Sequence, residues 1–187
     1  LMRALRRLGE MSGRRLIAGE RVIIPEQANR SGADAFVATS SVGLPLRTVV
    51  MGLMPGYSLA SAVRATAGTY VSIVDTLSLE DLQQTERALN AILLARPDLI
   101  FLTGGVDDGA DKSVRKIAGI AAMALRLMSR DERPMVLYAG NAALSGELGA
   151  ALADLTTVFT APNVRAQARH ETIAPAQLQL AAAFDAL

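Results

Sequence analysis

The stretch TGGVDDGAD at positions 103–111 combines the residue types best suited to binding a charged ligand. It follows the apolar run DLIFL and brings a hydroxyl, three glycines and three carboxylates ahead of a helical pattern. Glycine lets the backbone approach a ligand closely, and N–H groups at a helix start attract anions. Carboxylates beside an anion require a cation such as Mg²⁺. The residues predicted to contact a ligand here are Thr103, Gly104, Gly105, Asp107, Asp108 and Gly109.

The same stretch also has a structural interpretation. Gly104 and Gly105 could form a tight turn, while Asp108 or Asp111 could cap the helix that follows. The stretch matches neither the Walker phosphate-loop pattern nor a complete Gly-x-Gly-x-x-Gly. The residues by themselves leave both interpretations open.

Two other predicted strands end in small or polar residues. Residues 35–39 (AFVAT) are followed by Ser40, Ser41 and then Gly43, and residues 135–139 (MVLYA) are followed by Gly140 and Asn141. In open parallel sheets, ligands bind in the crevice beyond the carboxyl ends of the strands. We therefore expect these five residues to line the same crevice as the stretch at 103–111.

Other chemically reactive side chains are few. The chain has no cysteine, which excludes disulfides and thiolate catalysis, and its single histidine, His170, lies in a polar stretch and is expected on the surface. A transition-metal site is disfavoured for the same reason. Ser40 and Ser41 lack a neighbouring base, so nucleophilic catalysis has no support. Arg47 could bind a phosphate or pair with a carboxylate, and the sequence does not decide between them.

Strands and helices that alternate along the chain would position these residues. Strands are predicted at residues 16–24, 35–39, 46–53, 70–74, 98–103, 135–139 and 157–160. Helices are predicted at residues 2–16, 59–67, 79–95, 111–128, 144–155 and 175–186. Ser58 is predicted to cap the second helix, and Ser78 with Asp81 to form a capping box at the third.

This alternation predicts an α/β fold. Right-handed crossovers between strands give a mostly parallel, Rossmann-like β-sheet with helices on both faces. Since we find no repeat, low-complexity tract or linker, we predict one α/β domain over residues 1–187, in which residues 1–33 are less regular.

Composition narrows the choice of partners and compartment. The 19 basic and 18 acidic residues nearly cancel, so no broad attraction to nucleic acid or to an anionic membrane is expected. The arginines among the first thirty residues are interpreted as a solvated helix face. No signal-peptide pattern or apolar run of membrane-spanning length occurs, which favours a cytoplasmic protein. Because Leu1 precedes Met2, we expect the chain to be a piece of a larger protein.

Three segments, in order, resemble the glutamate mutase L family. They are ATSSVGLPLRTVVMGLMPGYSLASAVRATAGTYV, ARPDLIFLTGGVDDGADKSVRKIAGIAAMAL and RPMVLYAGN, within residues 34–163. This family is the accessory protein of a cobalamin-dependent mutase, and is distinct from the mismatch-repair protein of similar name. Its members resemble the actin/Hsp70/sugar-kinase class of ATPases, so the resemblance implies an actin-like ATPase lobe.

The resemblance also implies cofactors and partners. It implies ATP or ADP with Mg²⁺ bound by the complete protein, a cobalamin-dependent mutase as the partner that is reactivated or chaperoned, and no cobalamin bound directly. It leaves self-association into a homo-oligomer open. The Asp-x-Gly-Ser/Thr hairpin of the ATPase class is missing here, and Val106 and Ala110 replace a family Thr and Asn. Among the loop carboxylates, Asp107 is kept and is the expected Mg²⁺ ligand.

Three functions compete at this point. The first is a domain of an ATP-dependent accessory protein, which on its own is not expected to be a working ATPase. The second is a protein-interaction module that keeps the fold without ATPase activity. The third is a stand-alone small-molecule enzyme, which is disfavoured because no acid–base pair or nucleophile is evident. Under the first, replacing Asp107 by alanine should weaken nucleotide binding and leave stability nearly unchanged.

Overall fold

The computed structural model describes residues 2–19, 21–37 and 43–187, and the chain divides into two compact units, Leu1–Gly43 and Leu44–Leu187. The prediction of one domain over residues 1–187 stays a prediction. Each unit is described by itself below.

In the first unit, the described residues form one helix and one small hairpin. Helix α1 spans Met2–Ser12, and strands β1 (Ile17–Ala18) and β2 (Arg21–Val22) pair in antiparallel fashion. The prediction of one continuous strand over residues 16–24 is therefore wrong. Gly19 has φ of +61°, a turn conformation that glycine favours, and the chain reverses there.

The strand predicted at residues 35–39 is also wrong where it can be checked. Residues 35–37 are in no strand, and Phe36 and Val37 are 37% and 85% exposed, so they do not form a buried face. The remaining two positions of that segment, together with Ser40 and Ser41, lie outside the described residues.

The second unit is built on a five-stranded sheet in which every neighbouring pair is parallel. Its strands are β3 (Leu46–Met51), β4 (Val71–Leu77), β5 (Leu99–Leu102), β6 (Met135–Tyr138) and β7 (Val158–Thr160), in the spatial order β4-β3-β5-β6-β7. All four residues of β5 are buried, as expected for a strand covered on both faces. The predicted α/β fold class is confirmed.

Helices cover both faces of this sheet. They are α2 (Ala60–Thr66), α3 (Thr85–Ala95), α4 (Asp111–Leu127), α5 (Ser145–Ala153) and α6 (Ala174–Asp185). Helices α3, α4 and α5 pack on the sheet face that carries Val49, Ile100 and Val136. Helices α2 and α6 pack on the opposite face, which carries Val50 and Phe101. Among the described residues, no helix is both long and apolar enough to cross a membrane.

Two helix starts differ from the sequence prediction. The turn Pro55–Leu59 is already helical, so the second predicted helix begins before Ser58, and Ser58 does not cap it. Its hydroxyl instead accepts the N–H of Leu53 at 3.2 Å and of Met54 at 3.4 Å. At the third helix, the Ser78 N–H and hydroxyl both donate to Asp81, but a short 3₁₀ turn intervenes and α3 begins only at Thr85.

Candidate functional site

The candidate site lies beyond the carboxyl ends of β3, β5, β6 and β7. In the sheet, β4 lies on one side of β3 and β5 lies on the other side. The chain therefore adds β4 in one direction and β5, β6 and β7 in the opposite direction, and the strand order reverses between β3 and β5. A crevice forms at such a reversal because the connections after the two strands leave in opposite directions. The stretch at 103–111 follows β5 and therefore lies where the topology places a ligand.

The first glycines of this stretch are required by the backbone. Gly104 and Gly105 have φ of +135° and +72°. A Cβ at Gly104 would lie 2.7 Å from the Leu53 Cγ, and one at Gly105 would lie 2.8 Å from the Gly109 carbonyl oxygen. The glycine pair thus allows a left-handed turn and close packing against the loop after β3, as the structural interpretation proposed.

The hydrogen bonds of Asp107 connect three loops. Its Oδ1 accepts the backbone N–H of Ala142 at 2.9 Å and the side-chain amide of Asn163 at 2.8 Å. Its own N–H donates to the Ala166 carbonyl. The carboxylate therefore joins the loop after β5 to those after β6 and β7, while its Oδ2 has no hydrogen bond to a described residue.

The other two carboxylates of the stretch do not cap α4. Ala110 occupies the N-cap position with φ of +56°, and no side chain caps it. Asp108 is exposed, with φ of +62°, a conformation that aspartate tolerates better than most residues. Asp111 is the first helical residue, where its charge suits the positive helix end, and it also forms a 3.5 Å ion pair with Arg115. The alternative interpretation that Asp108 or Asp111 caps this helix is therefore wrong.

Asn141 is fully buried and holds the loop after β5 in place. Its side-chain amide donates to the Gly109 carbonyl and to Asp111, both at 2.9 Å, and its Oδ1 accepts the N–H of Ala143. The buried Tyr138 hydroxyl donates to the Asn141 carbonyl at 2.8 Å. Burial, followed by the charges of Asp107 and Asp111, raises the pKa of Tyr138, so this hydroxyl stays protonated as a donor.

Gly140 and Thr103 are packed rather than open to a ligand. A Cβ at Gly140 would lie 2.8 Å from the Gly104 carbonyl oxygen, so the two strand ends touch there. Thr103 is 2% exposed, and its hydroxyl donates to the Ala139 carbonyl. Both residues therefore help to fix the shape of the crevice.

An open cleft of about 360 Å³ lies next to the glycine pair. Its walls are residues of the loops after β3, β5 and β7, namely Leu53, Met54, Tyr57, Ser58, Gly105, Val106, Ala110, Arg165 and Ala168. Met54, Tyr57 and Val106 are 55%, 48% and 40% exposed, so apolar surface faces solvent here. The predicted strand ends did not indicate this cleft, although Tyr57, an aromatic residue that follows a strand end and Pro55-Gly56, was a usable signal.

Arg165 forms the polar side of the cleft and is held firmly. Its guanidinium donates to the Ser61 hydroxyl and to the Ala168 carbonyl, both at 2.8 Å, and lies 5.8 Å from the centre of the Tyr57 ring. It also pairs with Glu171 at 3.4 Å, and Glu171 in turn pairs with Arg64 at 2.5 Å. The Arg64 hydrogen bonds lower the pKa of Glu171 to about 2.

The structure thus brings together most, though not all, of the predicted residues. The residues that meet at the strand ends of the second unit are Thr103, Gly104, Gly105, Asp107, Gly109, Gly140 and Asn141. Asp108 belongs to the same loop, but its side chain has no hydrogen bond to a described residue. Gly43 falls in the first unit, and Ser40 and Ser41 fall outside the described residues.

Two further candidates are accounted for. His170 is exposed, as expected. The guanidinium of Arg47 donates to the Ala95 and Arg96 carbonyls at the end of α3, so it binds neither a carboxylate nor the strand-end crevice.

Among the described residues, no group of three or more His, Cys, Asp or Glu side chains could hold a metal ion. A metal at Asp107 would therefore need most of its ligands from the bound molecule and water.

Comparison with known proteins identifies the family. The family model described as MutL protein matches residues 2–186, which is nearly the whole chain. Neither a curated protein nor a solved structure matches the chain. The match includes the strand-end loops whose residues resemble the glutamate mutase L family. The chain therefore belongs to the MutL protein family, which is this glutamate mutase L family.

Proposed function

We propose that this chain is a domain of a glutamate mutase L accessory protein that binds ATP or ADP with Mg²⁺ in the complete gene product. The bound nucleotide would serve the reactivation or chaperoning of a cobalamin-dependent mutase in the cytoplasm, without cobalamin bound to this protein. The observation that carries the proposal is the crevice at the reversal of strand order, lined by the glycine-rich loop after β5.

The loop offers unpaired donors to a phosphate. Within the described part of the chain, the backbone N–H groups of Gly105, Val106 and Asp108 have no acceptor. The N–H groups of Asp111 and Lys112 are likewise free, as they are in the first turn of any helix, and there the helix end is positive. Donors grouped in this way favour an anion beside the loop.

A divalent cation would offset the negative charge of the loop. Asp107 has one carboxylate oxygen without a protein hydrogen bond among the described residues. Mg²⁺ commonly takes one or two carboxylates and completes its octahedron with phosphate oxygens and water, so a single aspartate suffices. Asp107 is accordingly the residue that would hold Mg²⁺ and, through it, the phosphates.

The exposed apolar surface favours a second candidate function, a protein-interaction module without ATPase activity. Met54, Tyr57 and Val106 stand around the cleft with about half of each side chain exposed (55%, 48% and 40%). Clustered exposed apolar residues mark binding surfaces for proteins as well as for small ligands. Nucleotide titration separates the two functions.

Calorimetric titration of the complete gene product with Mg-ATP and Mg-ADP tests the proposal. We expect a dissociation constant below about 100 μM, or a free energy more favourable than roughly −5.5 kcal/mol. Val106→Asp places a negative charge at the cleft and should weaken Mg-ATP binding by at least about tenfold. Leu94→Asp is the matched control, because Leu94 is 85% exposed on α3 and does not line the cleft.

The outcomes are distinct. Loss of binding in Val106→Asp with normal binding in Leu94→Asp supports the proposal. Absence of nucleotide binding by the complete gene product contradicts it and leaves the interaction module. Equal weakening by both substitutions would show that added negative charge acts from any position, and would contradict nucleotide binding in the crevice.

A further inference from the structure

We infer that the apolar cleft beside the glycine pair holds the purine base of the nucleotide, stacked against Tyr57 and Arg165. This inference rests on the proposed nucleotide binding and adds to it the place and chemistry of base recognition. The two residues proposed to stack on the base, Tyr57 and Arg165, come from the loops after β3 and β7 and lie outside the stretch at 103–111.

The cleft is continuous with the loop proposed to bind phosphate. Gly105, Val106 and Ala110 belong to that loop and also form one wall of the cleft. A nucleotide with its phosphates at the free N–H groups of Gly105 and Val106 would therefore extend its other end into the cleft. A volume of about 360 Å³ lies at the small end of the range for ligand pockets, which suits a base and the adjoining sugar.

The walls suit a planar aromatic ring. Leu53, Met54, Val106 and Ala168 make most of the lining apolar, and Tyr57 supplies an aromatic surface that is 48% exposed. Aromatic rings and guanidinium planes are the two kinds of side chain on which nucleic-acid bases stack. Here the two stand together, with the Arg165 guanidinium 5.8 Å from the Tyr57 ring centre.

Arg165 is already fixed in place beside the Tyr57 ring. Its side chain is only 14% exposed and is bound by Ser61, Ala168 and Glu171. Little side-chain entropy is then lost when a ring is bound, which favours affinity. The group Arg64, Glu171 and Arg165 carries two positive charges and one negative charge, which partly offsets the three carboxylates of the stretch at 103–111.

Ser58 adds one polar group that could recognise the base. Ser58 is one of the residues that line the cleft, is 6% exposed, and its hydroxyl accepts the N–H of Leu53 and of Met54. The hydroxyl proton has no acceptor among the described residues and is therefore available to a ring nitrogen. Purine ring nitrogens are acceptors of this kind, whereas an aliphatic ligand has none.

The experiment compares ligands with and without a base on the complete gene product with Mg²⁺. Dissociation constants are measured for ATP, GTP and inorganic tripolyphosphate. We expect ATP and GTP to bind at least about tenfold more tightly than tripolyphosphate, since stacking of one base contributes roughly that factor. Tyr57→Leu should remove this difference by weakening nucleotide binding alone, and Tyr57→Phe should keep it.

Tyr70→Leu is the control for loss of a tyrosine. Tyr70 is 53% exposed, close to Tyr57, but its ring stacks on Phe184 at 5.3 Å and does not line the cleft. Unchanged nucleotide binding in Tyr70→Leu supports the inference, and weakening equal to that in Tyr57→Leu overturns it. Unfolding midpoints measured by circular dichroism show whether each variant is folded.

The two proposals fail in different ways. If ATP and tripolyphosphate bind equally well, nucleotide binding stands through the phosphates and the base site is wrong. If neither ligand binds, the proposed function itself is wrong. If Tyr57→Leu loses tripolyphosphate as strongly as ATP, the tyrosine supports the loop rather than the base, and the inference is overturned.

Discussion

Replacing Asp107 by alanine is expected to destabilise the fold, in contrast to the expectation from the sequence. The substitution removes the acceptor of two hydrogen bonds, at 2.9 Å from the Ala142 N–H and 2.8 Å from the Asn163 amide. These bonds connect the loops that follow β5, β6 and β7. The interactions lost are therefore between elements distant in sequence, although the residue itself lies on a partly exposed loop.

The magnitude follows from the burial of the two donors. Ala142 is exposed, so water can replace the carboxylate at its N–H. Asn163 is only 4% exposed, and its side-chain amide nitrogen keeps one bond, to the Gly105 carbonyl at 2.9 Å, while its Oδ1 still accepts the N–H of Arg165. A hydrogen bond to a charged group contributes about 1.5–3 kcal/mol, and partial replacement by water reduces this. We expect a loss of about 1–2 kcal/mol in the free energy of unfolding.

Urea unfolding followed by far-ultraviolet circular dichroism measures this loss. Asp108→Asn is the control, because Asp108 is exposed, has φ of +62° and lies next to Asp107, and asparagine tolerates the same backbone conformation. We expect the control to change the free energy of unfolding by less than about 0.5 kcal/mol. A double-mutant cycle with Asn163→Ala should give a coupling energy of about 1 kcal/mol.

One result would refute this reasoning. If Asp107→Ala unfolds like the parent protein while Mg-ATP binding is lost, the carboxylate serves the ligand and the hydrogen bonds to Ala142 and Asn163 contribute nothing measurable. Loss of both stability and binding is compatible with one carboxylate oxygen in each role.

Two further predictions concern a backbone turn and an ion pair. Gly105→Ala should destabilise the fold by about 1–3 kcal/mol, because its Cβ would lie 2.8 Å from the Gly109 carbonyl oxygen at φ of +72°. Gly119 has open space around it on α4, so Gly119→Ala should stabilise the fold by about 0.5–1 kcal/mol. Thermal unfolding measures both changes. Because Arg64 lowers the folded pKa of Glu171 from 4.5 to about 2, the pair stabilises the fold above about pH 4.5 and progressively less toward pH 2. Glu171→Gln should therefore lower the free energy of unfolding by about 1–2 kcal/mol at pH 7 after solvent screening. In urea titrations at a series of pH values, the difference between the variant and the parent protein should vanish near pH 2. A difference that stays constant with pH would contradict its origin in the ion pair.

The sequence determined the elements of the second unit. The apolar runs that became β3, β5 and β6 are short and bounded by Gly or Pro, and the three- and four-residue spacing of Val114, Ile117 and Ala121 predicted α4. These patterns are local, so they can be recognised without knowing what packs against them. They failed where context decides, as at Phe36 and Val37, which are apolar but exposed.

The sequence also located one part of the candidate site, the loop after β5, because its glycines and carboxylates are adjacent in the chain. The roles of these residues were not local. Asp107 and Asn141 look like ligand-binding residues in sequence, but their hydrogen bonds go to Asn163, Ala142 and Gly109. Only the folded chain reveals such partners, since Asn163 follows a strand two positions away in the sheet.

Tertiary structure alone decided where the crevice lies and what lines it. The order β4-β3-β5-β6-β7 sets the reversal between β3 and β5, and this order is fixed by the packing of all five strands rather than by any one segment. It brings Tyr57 and Arg165, 108 positions apart, to within 5.8 Å of each other beside the glycine pair. A stacking contact of this kind leaves no periodicity or spacing in the sequence, because neither residue needs a particular neighbour along the chain.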